Sequence, residues 1–149
     1  MERTILQFTG LYKWLSNFYP SQIALDGFTW PTVEHYYQAM KSESPEVQAE
    51  IRALPTAGQA KRYGKKVKVR DDWYNVSFTI MEKALRAKFD QNAFLKEKLL
   101  QLAGWGIQEG NTWGDTFWGI DLTTGEGLNN LGKMLMNLRD DYLKEARTL

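Results

Sequence analysis

Trp30-Pro31-Thr32-Val33-Glu34-His35-Tyr36-Tyr37-Gln38-Ala39-Met40-Lys41 is the stretch on which the reading of this chain turns. Pro31 cannot continue a strand ladder, and Thr32 is a good N-cap, so a helix is predicted from about Val33 to Glu43. Val33, Tyr36, Tyr37 and Met40 fall at i, i+3, i+4 and i+7, the spacing of a core face. Glu34, Gln38 and Lys41 form a second, polar stripe beside it. A Glu–Lys pair on an open helix face is commonplace and worth only tenths of a kcal/mol. Flanked by large apolar side chains, the stripe is partly sheltered. A sheltered lysine loses affinity for its proton and becomes a nucleophile toward aldehyde-type carbon. Lys41 lies two helical turns after Glu34, so both point into one pocket.

Working outward, Thr4 to Phe8 and Ser21 to Leu25 read as short strands. The second turns at Asp26-Gly27, a strong hairpin pair, into Phe28-Thr29-Trp30. Between them, Leu15 to Pro20 is a loop with more aromatic content than a loop needs. Further on, helices are predicted over Glu46–Leu54, stopped by Pro55, and over a turn or two from the cap Thr56 to Gly64. The longest runs from about Trp73 to Asp90 after Asp71 or Asp72, with Trp73, Val76, Ile80, Ala84 and Ala87 in period. Another runs from the cap Asn92 to about Ala103. Trp105 to Gln108 reads as a strand, and Glu109 to Asn130 as a long, glycine-dotted loop. A last helix runs from Leu131 to about Ala146, with Leu131, Met134, Leu135, Leu138 and Tyr142 inward. The fold class is therefore α+β, mainly α: five or six helices with a few short strands in a single compact domain, 1–149.

Composition narrows the chemistry. The chain has 149 residues, no cysteine and one histidine, His35. Disulfides, thiolate catalysis, iron–sulfur clusters and multi-histidine metal sites are excluded, and no cofactor or metal is expected. With 19 Lys+Arg against 18 Asp+Glu, the net charge of +1 is low for a protein that grips nucleic acid over its whole surface. The charge is segregated, however. Lys61, Arg62, Lys65, Lys66, Lys68 and Arg70 lie within ten residues that carry no acid. Such a patch suits phosphate, and it equally fits a solvated face. Gly127 to Lys133 fits G-x-x-x-x-G-K, but Met134 stands where a phosphate loop needs Ser or Thr. His35, beside two tyrosines, reads more readily as a hydrogen-bonded structural residue than as a catalyst. No apolar run is long enough to cross a membrane, and the start has no apolar targeting region, so a cytoplasmic protein with no membrane partner is expected.

Leu15-Ser16-Asn17-Phe18 and Glu34-His35-Tyr36-Tyr37-Gln38-Ala39-Met40-Lys41 together resemble the signature of the NADAR, or YbiA-like, family. The resemblance continues through Arg70 to Trp73, Leu85-Arg86-Ala87-Lys88-Phe89, Asp115, Trp118-Gly119, Gly127, Asn129, Leu131-Gly132 and Arg139. Ser42 stands where members often have phenylalanine. The resemblance implies hydrolysis of an N-glycosidic bond. Some members are associated with removing ADP-ribose from guanine in DNA or RNA. Others are associated with removing ribose-phosphate from pyrimidine intermediates of riboflavin synthesis. It implies Lys41, Glu34 and Glu109 as catalytic residues, and Asn17, Phe18, His35, Arg62, Trp73, Asp115, Trp118, Gly119 and Asn129 as substrate-binding residues. The residue types fit that chemistry. Breaking a C1–N bond builds oxocarbenium character that a carboxylate stabilises. Phe18, Trp73 and Trp118 offer a platform for a base, and Arg62 suits phosphate. The alternative in another class is a non-catalytic module that binds ADP-ribose or a related nucleotide; the presence of both Glu34 and Lys41 favours the enzyme.

Overall fold

In the computed structural model, which describes residues 3–148, the chain is mainly helical with short strands, as the α+β expectation has it. In order, the described residues form β1 (Thr4–Ile5), a 3-10 helix (Gly10–Leu15), β2 (Ile23–Leu25), β3 (Phe28–Trp30), α1 (Val33–Ala39), α2 (Pro45–Arg52), α3 (Ala57–Gly64), α4 (Trp73–Asp90), α5 (Ala93–Leu100), β4 (Gly106–Ile107), β5 (Gly110–Asn111), β6 (Ile120–Asp121) and α6 (Asn130–Arg147). None of these helices is long and apolar enough to cross a membrane. Contacts group the chain into two compact units: residues 17–92 form one, and the segments on either side of them form the other.

In the middle unit, β2 and β3 make the expected hairpin, with Ile23 opposite Trp30 and Leu25 opposite Phe28. Asp26 (φ 56°) and Gly27 (φ 83°) both lie in the left-handed region, which a two-residue hairpin turn of the right twist requires. The Asp26 carboxylate accepts from Tyr36 Oη at 2.7 Å and from Lys83 Nζ at 2.6 Å, which ties the turn to α1 and α4. Trp30 meets Tyr36 edge to face, ring centres 5.2 Å apart. Each helix start has its local cause. The Thr32 hydroxyl accepts from the His35 amide, Ser44 from Val47, and Thr56 with Gln59 forms a reciprocal capping box. Asp72 stands at the N-cap of α4 without capping through its side chain, because Arg70 holds its carboxylate at 2.6 and 3.1 Å.

Two sequence expectations shift here. α1 stops at Ala39 instead of Glu43: Met40 makes the last α-type bond, to Tyr36, and Lys41 and Ser42 tighten into 3-10-type turns. Its most buried face is also not the predicted one. Val33, Tyr36 and Ala39 are buried, Tyr37 and Met40 only half so, and the polar Glu34, His35 and Gln38 are buried with the core. α1 packs against α2, α3 and α4 at once, so a short helix surrounded on three sides buries polar residues that a period alone assigns to solvent. α4 buries Ala84 and Ala87 as predicted, together with Ser77, Met81, Leu85 and Lys88, while Trp73, Val76 and Ile80 are half-exposed. Two neighbouring stripes of that helix carry apolar residues, and periodicity does not choose between them.

In the flanking unit β1 runs parallel to β4, Thr4 opposite Gly106 and Ile5 opposite Ile107, and β5 runs parallel to β6. The predicted Thr4–Phe8 strand is thus two residues long, and a 3-10 helix precedes the aromatic loop. α6 buries Leu131, Met134, Leu135, Leu138 and Tyr142 as expected, and packs on β4 and α5. From it the buried Arg139 donates to the carbonyls of Leu102 (2.9 Å) and Trp105 (2.6 Å), closing the turn after α5.

Candidate active site

The sequence-predicted residues fall into two groups, one in each unit. In the middle unit the group is built on α1. Glu34, 7% exposed, follows the cap, and its amide donates to the Asn17 carbonyl at 3.1 Å. Gln38, one turn on and 5% exposed, donates from Nε2 to Glu34 Oε2 at 2.7 Å. The Gln38 amide thus turns its nitrogen, a donor, toward the carboxylate. Lys41 lies just past the end of α1, half-buried, with Nζ 5.8 Å from the centre of the Tyr37 ring. Tyr37 in turn packs against Trp73 with ring centres 5.1 Å apart.

Burial holds the Lys41 ammonium below its ordinary proton affinity. Glu34 opposes that shift, and the positive charges of Lys65 and Lys61 add to it. The arrangement gives a lysine with an enlarged neutral fraction and a carboxylate in electrostatic reach. That is the pairing needed for a nucleophilic amine with a proton acceptor. Lys61 lies 5.8 Å from the centre of the Phe18 ring, and Phe18 is 41% exposed. Asn17 donates from Nδ2 to Met81 Sδ, while its buried Oδ1 finds no donor among the described residues. Arg62 is exposed on α3. Arg70, by contrast, is engaged by Asp72 and by Glu43 at 3.5 Å, so one member of the basic run is already neutralised.

His35 is placed otherwise. It is fully buried; Nε2 meets the Leu54 carbonyl at 2.9 Å and Nδ1 meets Thr32 Oγ1 at 2.8 Å. A carbonyl only accepts, so Nε2 carries the proton and Nδ1 accepts from the threonine hydroxyl. Burial lowers its proton affinity, with the Leu54 carbonyl partly opposing. His35 is a neutral brace between α1 and the end of α2, in agreement with its structural reading.

The second group lies in the flanking unit. The Glu109 amide donates to Asn129 Oδ1 at 2.9 Å, and Asn129 Nδ2 donates to the Ile107 carbonyl at 2.9 Å. Asn129 adopts the left-handed conformation (φ 53°) just before α6, which lets one side chain fasten both partners. Asn111 Nδ2 reaches Glu109 Oε2 at 3.0 Å and the Asp115 carbonyl at 2.8 Å. Asp115 Oδ1 receives the amides of Phe117 and Trp118 at 3.1 and 2.9 Å. Gly119 lies so close to Glu109 that a Cβ there would overlap both its side chain and its carbonyl. Trp118 is nearly buried against Phe117, ring centres 4.9 Å apart. Glu109, Asp115, Trp118, Gly119 and Asn129 are thus one local cluster.

Two members escaped the sequence reading. Asn111, 1% exposed, joins Glu109 to Asp115, and no periodic signal marks a single asparagine in a loop. Gly64 ends α3 as predicted, but its contact with Gln38 depends on the packing of α3 on α1, which local sequence does not encode.

Known proteins are similar to this chain over nearly its whole length. The NADAR domain family model matches residues 7–143. The chain is 41% identical over 150 residues to the N-glycosidase YbiA of Escherichia coli K12, covering 97% of this chain and 92% of that protein. It is 36% identical to a riboflavin biosynthesis protein of Vibrio vulnificus, covering 91% of this chain and 37% of that one. The NMR structure of E. coli YbiA superposes with a TM-score of 0.87 at 38% identity, covering 98% of this chain and 89% of that one.

Proposed function

The chain belongs to the NADAR family, and from that premise we propose that it is an N-glycosidase that hydrolyses an N-ribosyl bond, with Lys41 as nucleophile and Glu34 as its carboxylate partner. The observation that carries the reading is the half-buried Lys41, lowered in proton affinity by burial, beside a buried Glu34 held by Gln38. The neutral Nζ attacks C1 of the riboside as the C1–N bond breaks, and the departing base takes a proton. Loss of the Nζ proton to the ring oxygen opens the sugar and leaves an imine between Lys41 and C1. Water adds to that imine and releases the free sugar, which regenerates the amine. The Glu34 carboxylate stabilises the positive charge that grows at C1 and relays protons. Phe18 offers a face to the base, and Lys61, Lys65 and Arg62 offer charge to phosphate. The steps need no metal.

The candidate substrates are the two that the family resemblance implies. One is ADP-ribose on guanine in nucleic acid; the other is a ribose-phosphate on a pyrimidine intermediate of riboflavin synthesis. The test presents both classes side by side to purified protein in EDTA and identifies products by mass spectrometry. Release of a free base from either supports the reading. Cleavage of neither, or cleavage that EDTA abolishes and added metal restores, overturns it. Binding of ADP-ribose with no turnover of either substrate would instead support the non-catalytic module.

A further inference from the structure

Gln38 is the member of the α1 stripe to which the reaction above gives no part. Its side chain is buried, and its Nε2 donates to Glu34 Oε2 at 2.7 Å. Its other polar atom, Oε1, is buried without a hydrogen-bond donor among the described residues. A buried amide oxygen left unmatched is costly, so something holds the side chain where it is. That something lies on α3. A Cβ on Gly64 would come within 2.6 Å of Gln38 Cδ and closer still to Oε1. The Gln38 amide therefore occupies the space that any other residue at position 64 would fill. Gly64 has ordinary helical backbone, so its requirement here is room and not conformation.

We propose that Gln38 is a positioning residue that fixes the Glu34 carboxylate for reaction, and that Gly64 is the seat that permits it. The inference rests on the role given to Glu34 above. The amide faces the carboxylate with a donor and has no acceptor to offer it, so the contact favours ionised Glu34. Among the described charges, Glu34 raises the proton affinity of Lys41 just past the end of α1, while Lys65 and Lys61 lower it.

Three measurements test this. The first needs no substrate: carboxyl ¹³C titration of Glu34 in the native chain and in Gln38→Met, which keeps the length and loses the donor. Glu34 is expected to titrate at higher pH in the variant, since a hydrogen bond to the charged form is gone. An unchanged midpoint overturns the proposal, whatever the chain turns out to cleave. The second is kinetic. Gln38→Met is expected to lower kcat by on the order of 10- to 100-fold with KM little moved, the scale of a misplaced reacting group. The acidic limb of its pH profile is expected to move up with the Glu34 midpoint. An equal loss at every pH points to a merely structural side chain and overturns the proposal. The third is a double-mutant cycle. Gly64→Ala is expected to cost activity in the native background and to add little on Gln38→Ala, because the residue it displaces is already absent. Additive losses would show that Gly64 acts by another route and overturn its part. If the native chain cleaves no N-riboside while the titration shows the expected shift, the reading of the reaction fails and the Gln38–Glu34 contact stands.

Discussion

Lys41 and Glu34 make separable predictions because one is asked to form a bond and the other to hold charge. Lys41→Arg keeps the positive charge but has no amine that forms an imine. It is expected to bind substrate and turn it over very slowly, and borohydride added during turnover by the native chain is expected to leave a sugar-derived mass on Lys41. Near-normal turnover by Lys41→Arg with no trapped adduct would redirect attention to direct attack by water. Glu34→Gln keeps the shape and loses the charge. Turnover is expected to fall by about 10²-fold or more, the usual scale for a proton-transfer group. The melting temperature should move little, since Gln38 retains a carbonyl oxygen to meet. Glu109→Gln is the parallel variant in the flanking unit, where Asn111 still finds an oxygen to donate to. At this scale the sequence was informative about residue types and silent about neighbours. The eight residues from Glu34 to Lys41 name the chemistry, but nothing local says that Gln38 lies against Gly64 or that His35 spends both nitrogens on Thr32 and Leu54.

α1 is the element on which the proposed chemistry depends, and Thr32 does two jobs at its start. Its hydroxyl accepts from the His35 amide at 3.1 Å and donates to the His35 ring. Thr32→Ala is expected to cost about 1–2 kcal/mol for the cap and a further ~1–3 kcal/mol for the orphaned buried nitrogen, read by chemical denaturation. Thr32→Ser is expected to recover most of it; equal losses in both variants would mean that the methyl group, not the hydroxyl, matters. The start of α1 was legible because capping is local: Pro31, Thr32 and the hairpin at Asp26-Gly27 all act within four residues. Its end was not. The tightening at Met40 to Ser42 is fixed in part by Arg70, whose amide donates to the Lys41 carbonyl at 2.8 Å from 29 positions away. The same limit explains the two-residue β1, whose partner β4 begins only at Gly106 and which leaves no periodic trace over so short a run.

Across the molecule, burial of charge gives a pH dependence that can be signed. Lys88 on α4 is 1% exposed, and burial lowers its pKa from 10.5 to about 7. Between those values the unfolded chain binds the proton and the folded chain does not, so stability rises with pH across that window and the burial cost is complete below it. The native chain is therefore expected to gain on a Lys88→Met variant from pH 7 to pH 10, by at most about 1.4 kcal/mol per pH unit. Urea denaturation of both at three pH values checks this, and a constant difference refutes it. The division of the chain into a continuous middle unit and a unit made of its two ends has a consequence for biosynthesis. A ribosome finishes residue 92 with every residue of the middle unit in hand, while Thr4–Ile5 still waits for Gly106–Ile107. At roughly 5–20 residues per second, that first strand spends on the order of ten seconds outside the exit tunnel with its backbone unsatisfied. A strand only two residues long, with a 3-10 helix starting at Gly10, offers other nascent chains little edge on which to pair in that interval.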